Sequence, residues 1–479
     1  RSYYTYCLIP MICTNSSPLF LRNTMKKAIF STEISLLRRT IQRLLRRKAG
    51  TNLTKILHKT HPADVALLMR GFGSSEQKTI FNLCPTFNHK AKVLEELDET
   101  LIENMLIDES STNISKMFSY LDTNDQAAII SMFPEEKQKE ILEKIEIEDL
   151  EDVEEIMSYP DDSAGSIMTK ETFTLNQNIS IKEAIKQLQA FPENDKIFYV
   201  YVLDNQEKLV GVISLRNLVT SKNTKKLKDI MIKDIHAATS ETDQEEVAKT
   251  VAQYNYLALP VVNRKNKFLG IVTIDDVVDI IREEASEDFL QMAGVGKDRD
   301  ILLKSPIENA QSRAPWIFAS LIGGICAAAI IGYFDHLLKE MIVLASFIPI
   351  IIGIGGNIGT QSSTIIVRGL ATGRVDIANT LPLITKEIIV GGILGIIYGI
   401  LIGFASEFIT GTELKNLGMV IGLSIACSMT IATAVGASVP LILKKLNFDP
   451  AISTGPFVTT AIDILGVALY FIIASYILL

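Results

Sequence analysis

The strongest constraint in this sequence is an uneven division of its charge. Nearly all acidic and basic residues lie before Arg313, and the remainder is mostly Ile, Leu, Val, Ala and Gly. From Pro315 onward five apolar runs stand out, at 316–334, 341–367, 388–408, 417–443 and 456–479. A helix needs about 20 apolar residues to cross a bilayer, so each run is long enough. The chain therefore reads as a soluble part followed by a membrane part with five crossings. Loop charges orient it. Arg299, Lys304 and Arg313 precede the first span, Arg368, Arg374 and Lys386 lie around the second-to-third loop, and Lys444 and Lys445 follow the fourth. The alternate loops carry Lys339 and Lys415, each beside acids. By the excess of positive charge on the cytosolic side, the soluble part is expected in the cytosol and the C-terminus outside, in an inner or plasma membrane.

The soluble part divides again. Residues 1–50 form a lead-in whose basic stretch (Arg38, Arg39, Arg43, Arg46, Arg47, Lys48) predicts a charged amphipathic helix, with the segment before Met25 read as an extension. Residues 51–160 show apolar positions at helical spacing and few glycines, which predicts an all-α unit. Ser75-Glu-Gln-Lys-Thr-Ile-Phe-Asn-Leu-Cys-Pro85 resembles Asn124-Asp-Gln-Ala-Ala-Ile-Ile-Ser-Met-Phe-Pro134. Each run opens on a capping residue and closes at a proline, so stacked helical hairpins in a small superhelix are expected. Residues 161–281 change character. Lys208-Leu-Val-Gly-Val-Ile-Ser-Leu-Arg-Asn-Leu-Val219 matches Lys267-Phe-Leu-Gly-Ile-Val-Thr-Ile-Asp-Asp-Val-Val278, and each repeat opens with a methionine, Met168 or Met231. This region resembles a tandem pair of CBS domains, α/β regulatory modules that pair about a pseudo-twofold. Residues 282–312 contain an acidic connecting helix, and 313–479 the membrane domain.

Some functions are already disfavoured. A net charge of -8 does not suit a nucleic-acid partner. The five cysteines form no CxxC pair and the five histidines are scattered, so neither a disulfide framework nor a zinc site is expected. No nucleophile–base pair or metal triad points to an enzyme.

Inside the last span lies Asp463, where a carboxylate costs several kcal/mol unless it is paired or faces water. No lysine or arginine lies deep in any span. Glu387 sits beside Lys386 at a span edge and is expected at the interface. The second span contains Pro349-Ile-Ile-Ile-Gly-Ile-Gly-Gly-Asn-Ile-Gly-Thr-Gln361. A proline and four glycines predict a loosened or broken helix, whose freed carbonyls would line a cavity; close helix packing is the alternative use of glycine. Asn357 and Gln361 add amide oxygens. Oxygen donors around a single carboxylate suit a hard, hydrated cation such as magnesium.

Taken together, the chain resembles the MgtE family of magnesium channels and transporters. The motifs are Tyr159-Pro-Asp-Asp-Ser-Ala-Gly-Ser-Ile-Met-Thr169, Thr242-Asp-Gln-Glu-Glu-Val-Ala248, Gly355-Gly-Asn-Ile-Gly-Thr-Gln361, Arg368-Gly-Leu-Ala-Thr372 and Asp449-Pro-Ala. The resemblance implies a homodimer with a pore along its axis, lined by the second and fifth spans. It implies a pore ion at Asp463, with Asn357 and Thr459 as neighbours. It also implies a gate in which cytosolic magnesium bridges Asp243, Glu245, Asp276, Asp279, Glu284, Glu287, Asp288 and Asp449. Some relatives carry an acid where this chain has Asn255. Thr273 and Asp276 fit the short turn with which CBS pairs hold an adenine nucleotide, so ATP is a further expected ligand, although a helix cap explains Thr273 equally well. Two other readings are an ion-coupled divalent cation exporter, which needs a second ionisable residue deep in the membrane, and a membrane-tethered metal or nucleotide sensor.

Overall fold

The computed structural model describes residues 34–145, 147–191, 197–295, 305–375, 380–410 and 416–478. The lead-in before residue 34, with Met25, and the orienting charges Arg299, Lys304 and Lys415 lie outside the described residues.

A basic helix over residues 34–46 buries Ile41 and leads into short helices from Gly50–Leu57 to Ile147–Met157. Most of these pack against the next but one, which winds them into a superhelix. The internal repeat has a structural purpose. Gln77 and Gln126 occupy the same position in the two copies, both are buried, and each donates its amide to a backbone carbonyl, Met69 O at 2.9 Å and Leu121 O at 3.0 Å. The repeat helices begin slightly earlier than the sequence suggests. Their N-caps are Gly73 and Asp122, which places Ser75 and Asn124 inside the first turn.

Two three-stranded sheets follow, β1-β2-β3 (Thr174–Asn176, Tyr199–Leu203, Leu209–Ser214) and β4-β5-β6 (Ala238–Thr239, Ala258–Val262, Phe268–Thr273). In each, the first pair is parallel and the second antiparallel. The repeats are cross-paired. Thr169, at the start of the first repeat, exchanges backbone hydrogen bonds with Ile271 of the second, and Ile232, at the start of the second, does so with Val212 of the first. The two opening methionines explain the matched glycines. Met231 packs on Gly211, and Met168 on Gly270, where a Cβ would also come 2.5 Å from Thr169 O. A side chain at either glycine would push the cross-pairing apart.

The connecting helix Ile274–Met292 starts directly from β6, so the last helix of the second repeat and the acidic connection are one continuous rod. Five helices are long and apolar enough to span a membrane: Pro306–Tyr333, Ile342–Ala371, Leu381–Phe408, Leu417–Lys445 and Pro456–Leu478. The third and fourth lie antiparallel along a glycine seam. Gly391, Gly395, Gly399 and Gly403 recur every fourth residue on the third and face Thr433, Ala426, Gly422 and Gly418 on the fourth. Small residues at this spacing let backbones approach closely where no hydrophobic effect drives association.

The expectation of a broken second span is corrected. After a 3-10 turn at Ile342–Phe347, one uninterrupted helix runs from Ile348 to Ala371. Pro349 sits in its first turn, where its missing N–H costs nothing. The glycines mostly serve packing: Gly355 and Gly359 receive Ile462 of the fifth span, and Gly359 also lies against the fourth.

Candidate functional site

Asp463 projects from the fifth span and is half-buried. It faces Gly356 of the second span, where a Cβ would stand 3.9 Å from Asp463 Oδ1 with no other side chain nearer. Only glycine leaves that approach open. No charged group acts on Asp463 among the described residues. Thr459 lies one turn before it on the same helical face, and its hydroxyl donates to Pro456 O at 3.3 Å. On the second span, Gly353, Asn357 and Gln361 recur every fourth residue and are all exposed in a single chain. Asn357 of this stripe adjoins Gly356 in sequence, next to the residue that faces Asp463.

The third span carries a second carboxylate, turned inward against the second span. Glu387 is buried, 6% exposed, while its neighbour Lys386 is exposed. Its Oε2 accepts a 2.7 Å hydrogen bond from Ser362 of the second span. Its side chain turns toward the second span where that of Lys386 turns out, because successive helical positions differ by about 100°, and its place in the second turn of the third span agrees with the span edge expected for it.

The acids outside the five spans that sequence analysis singled out fall into two groups. Glu245, Glu284, Glu287, Asp288 and Asp449 come together where the connecting helix meets the 3-10 turn Pro450–Thr454 before the fifth span. Burial chiefly, and then the charges of Asp449, Glu245, Glu284 and Glu287, push the Asp288 carboxyl up to about 6. Glu284 accepts from Gln244 Nε2 at 2.6 Å and Glu287 from Gln291 Nε2 at 2.8 Å, so two glutamines hold the carboxylates apart. Glu245 also pairs with Lys249 at 2.7 Å. Asp449 caps the 3-10 turn, accepting from Ala451 N at 2.8 Å.

The second group is spent elsewhere. Asp243 caps the helix Gln244–Tyr254, accepting from Glu245 N at 2.8 Å. Asp279 pairs with Arg282 at 3.1 Å on the solvent side. Asp276 and Thr273 form a reciprocal cap at the start of the connecting helix, and Asn124 of the superhelix donates to Asp276 at 3.4 Å. Thr273 is completely buried in that cap. Asn255 has a left-handed backbone at a helix C-terminus, φ 55°, which asparagine tolerates better than most residues. Among the described residues, no three His, Cys, Asp or Glu side chains converge on one metal position.

The cluster abuts the start of the fifth span. Gly294, at the end of the connecting helix, takes a left-handed backbone, φ 70°, and a Cβ there would come 3.3 Å from Pro456. Gly455 packs in turn on the carbonyl of Gln291.

Comparison with known proteins agrees with this division. The family described as "Divalent cation transporter" (MgtE) matches residues 348–473, the MgtE intracellular N domain 60–162, and the CBS domain 164–222 and 227–283. A magnesium transporter MgtE of Bacillus subtilis is 32% identical over 433 residues, 90% of this chain and 95% of that protein. Those of Enterococcus faecalis and Thermus thermophilus are 37% and 33% identical, each over 68% of this chain and 72% of theirs. Among solved structures, the cytosolic domain of the Mg2+ channel MgtE in complex with ATP is 27% identical, covering 51% of this chain and 99% of that one at a TM-score of 0.48. With the superhelix, the paired repeats and the second to fifth spans matched in order, and relatives of 32–37% identity over most of their length, this chain belongs to the MgtE family of divalent cation transporters.

Proposed function

We propose that this chain carries magnesium across its membrane through a channel-like pore centred on Asp463, and that magnesium on the cytosolic acids shuts it. Transport rather than catalysis follows from relatives that are magnesium transporters over 72–95% of their own length. The observation that carries the pore is the facing of Asp463 and Gly356 across two spans, with Asn357 of the stripe Gly353–Asn357–Gln361 next to Gly356 in sequence. One carboxylate with amide, hydroxyl and backbone oxygens, here Asn357 and Thr459, suits an ion that keeps most of its waters. That stripe is open in one chain, and a second copy across a twofold axis would enclose it, so the pore belongs to a homodimer.

The gate is electrostatic. Glu245, Glu284, Glu287, Asp288 and Asp449 repel one another when magnesium is scarce, and the connecting helix is then free to leave the mouth of the fifth span. Magnesium bound among them favours the closed state, and a ligand shifts an equilibrium only by binding one state better. Asp243, Asp276 and Asp279 lie at the margins and would join after releasing their caps and pairs. The cytosolic side is the one bearing Arg313, Arg368, Arg374, Lys386, Lys444 and Lys445, which puts the C-terminus outside an inner or plasma membrane. ATP would have to displace the Thr273–Asp276 cap to use that turn.

One observation favours a second reading. The buried Glu387 supplies the second ionisable residue that an ion-coupled exporter requires. Magnesium flux into liposomes under a magnesium gradient alone separates the two. A channel conducts without a proton or sodium gradient, and Asp463→Asn abolishes the flux while leaving the protein inserted. Flux that needs a coupling gradient, or survives in Asp463→Asn, overturns the proposed pore.

A further inference from the structure

Gln291 lies in the last turn of the connecting helix and is completely buried. Its Nε2 donates to Glu287, but its Oε1 is shielded from solvent and has no hydrogen-bond partner among the described residues. An unpaired buried acceptor costs about 1–3 kcal/mol, so a use for it is to be expected. Its surroundings are anionic: Glu287 is its direct partner, and Glu284, Asp288, Glu245 and Asp449 form the same charged cluster. More carboxylate cannot satisfy an acceptor; only a donor or a cation can. Nor do three carboxylates meet at one point among the described residues. A neutral oxygen donor beside Glu287 is thus what the cluster needs to hold a divalent ion, because magnesium is typically bound by one or two carboxylates with waters and other oxygens.

We propose that Gln291 Oε1 is a ligand of the magnesium ion that closes the pore, completing a set with the Glu287 carboxylate and water. The inference rests on the gate proposed above. Without the ion, the amide turns its nitrogen to Glu287 and holds that carboxylate; with the ion, rotation about the last side-chain bond presents the oxygen instead. The backbone carbonyl of the same residue lies against Gly455, immediately before the fifth span. A ligand at this position ties ion binding to the pore helix with no intermediate residue.

The test is protection of the connecting helix from trypsin in the full-length protein in nanodiscs, titrated with magnesium chloride alone. Gln291→Met removes the oxygen at similar volume and raises the protecting concentration about tenfold or more, the usual effect of losing a group around a bound metal. Gln291→Glu decides the mechanism by sign. As a ligand, the added carboxylate lowers the protecting concentration. If Gln291 acts only by donating to Glu287, the same substitution sets two carboxylates against each other and raises it. A raised value in Gln291→Glu, or an unchanged one in Gln291→Met, overturns the inference while wild-type protection stands. Absence of magnesium protection in the wild type removes the gate itself.

Discussion

Gly356→Ala isolates the pore reading from the packing of the membrane domain. The added methyl would stand 3.9 Å from Asp463 Oδ1, and no other atom lies within that distance. It therefore fits without strain, yet it occupies the side from which a water, at about 2.8 Å from the carboxylate oxygen, would otherwise approach. Losing one hydrogen bond to a charged acceptor is worth about 1.5–3 kcal/mol, or about 10- to 150-fold in occupancy of a hydrated ion at 1.4 kcal/mol per factor of ten. Gly359→Ala, one turn along the same helix, is the control. Its methyl would collide with Ile462 and come 3.2 Å from Ala432 O, an overpacking worth about 1–3 kcal/mol of stability. The assay is magnesium influx into liposomes, scaled to inserted protein, over a wide range of magnesium. Gly356→Ala is expected to raise the half-saturating magnesium at least tenfold with normal yield. Gly359→Ala should lower yield or thermal stability and leave the half-saturating value alone. An unshifted Gly356→Ala, or an equal shift in both variants, would refute the placement of the ion against this face.

Two further outcomes follow from the buried and clustered carboxylates. Glu387→Gln retains an acceptor for Ser362 and should preserve folding and flux if the channel reading holds, whereas Glu387→Ala leaves a cavity and an unpaired hydroxyl costing about 1–3 kcal/mol; loss of flux in Glu387→Gln with normal insertion would instead show that its charge is used. Asp288 is raised to about 6 in the compact arrangement, so acid favours that arrangement: its contribution is complete below the ordinary carboxylate value and is lost as pH rises through about 6. In magnesium-free buffer, protease protection of the connecting helix should therefore be greater at pH 5.5 than at pH 8, and equal protection at both would contradict the clustering.

The architecture was legible wherever the signal was long or repeated. Five apolar runs could hardly be anything but spans, and the in-register copies around Gly211 and Gly270 announced a paired fold. What stayed hidden depended on partners far away in sequence. A glycine can break a helix or admit a neighbour, and nothing local in Gly355 or Gly359 says that Ile462 fills the space. Glu387 looked peripheral because Lys386 adjoins it, although only the lysine faces outward. Asp463 stood out in sequence by its isolation, but its opposition to Gly356 did not. Glu284 and Glu287 were expected in an acidic helix; the glutamines that grip them, Gln244 and Gln291, carry no spacing or charge signature. The Thr273–Asp276 pattern resolves into a cap because the same two side chains serve either purpose in sequence.

The cross-pairing of the two repeats also governs how this chain can be made and how it can pull. Thr169 leaves the ribosome about a hundred residues before Ile271, its partner, so the first repeat must wait half-assembled while the second is synthesised, a high-contact-order step that slows folding. Once closed, the same clasp is a short mechanical circuit. A tug on the superhelix travels through Thr169 into β6, and β6 runs straight into the rod that ends at the fifth span. Displacement of the superhelix thus enters the rod through β6, and the first sheet, bonded to the same strand's start through Phe268 N and Glu207 O, is carried along with it.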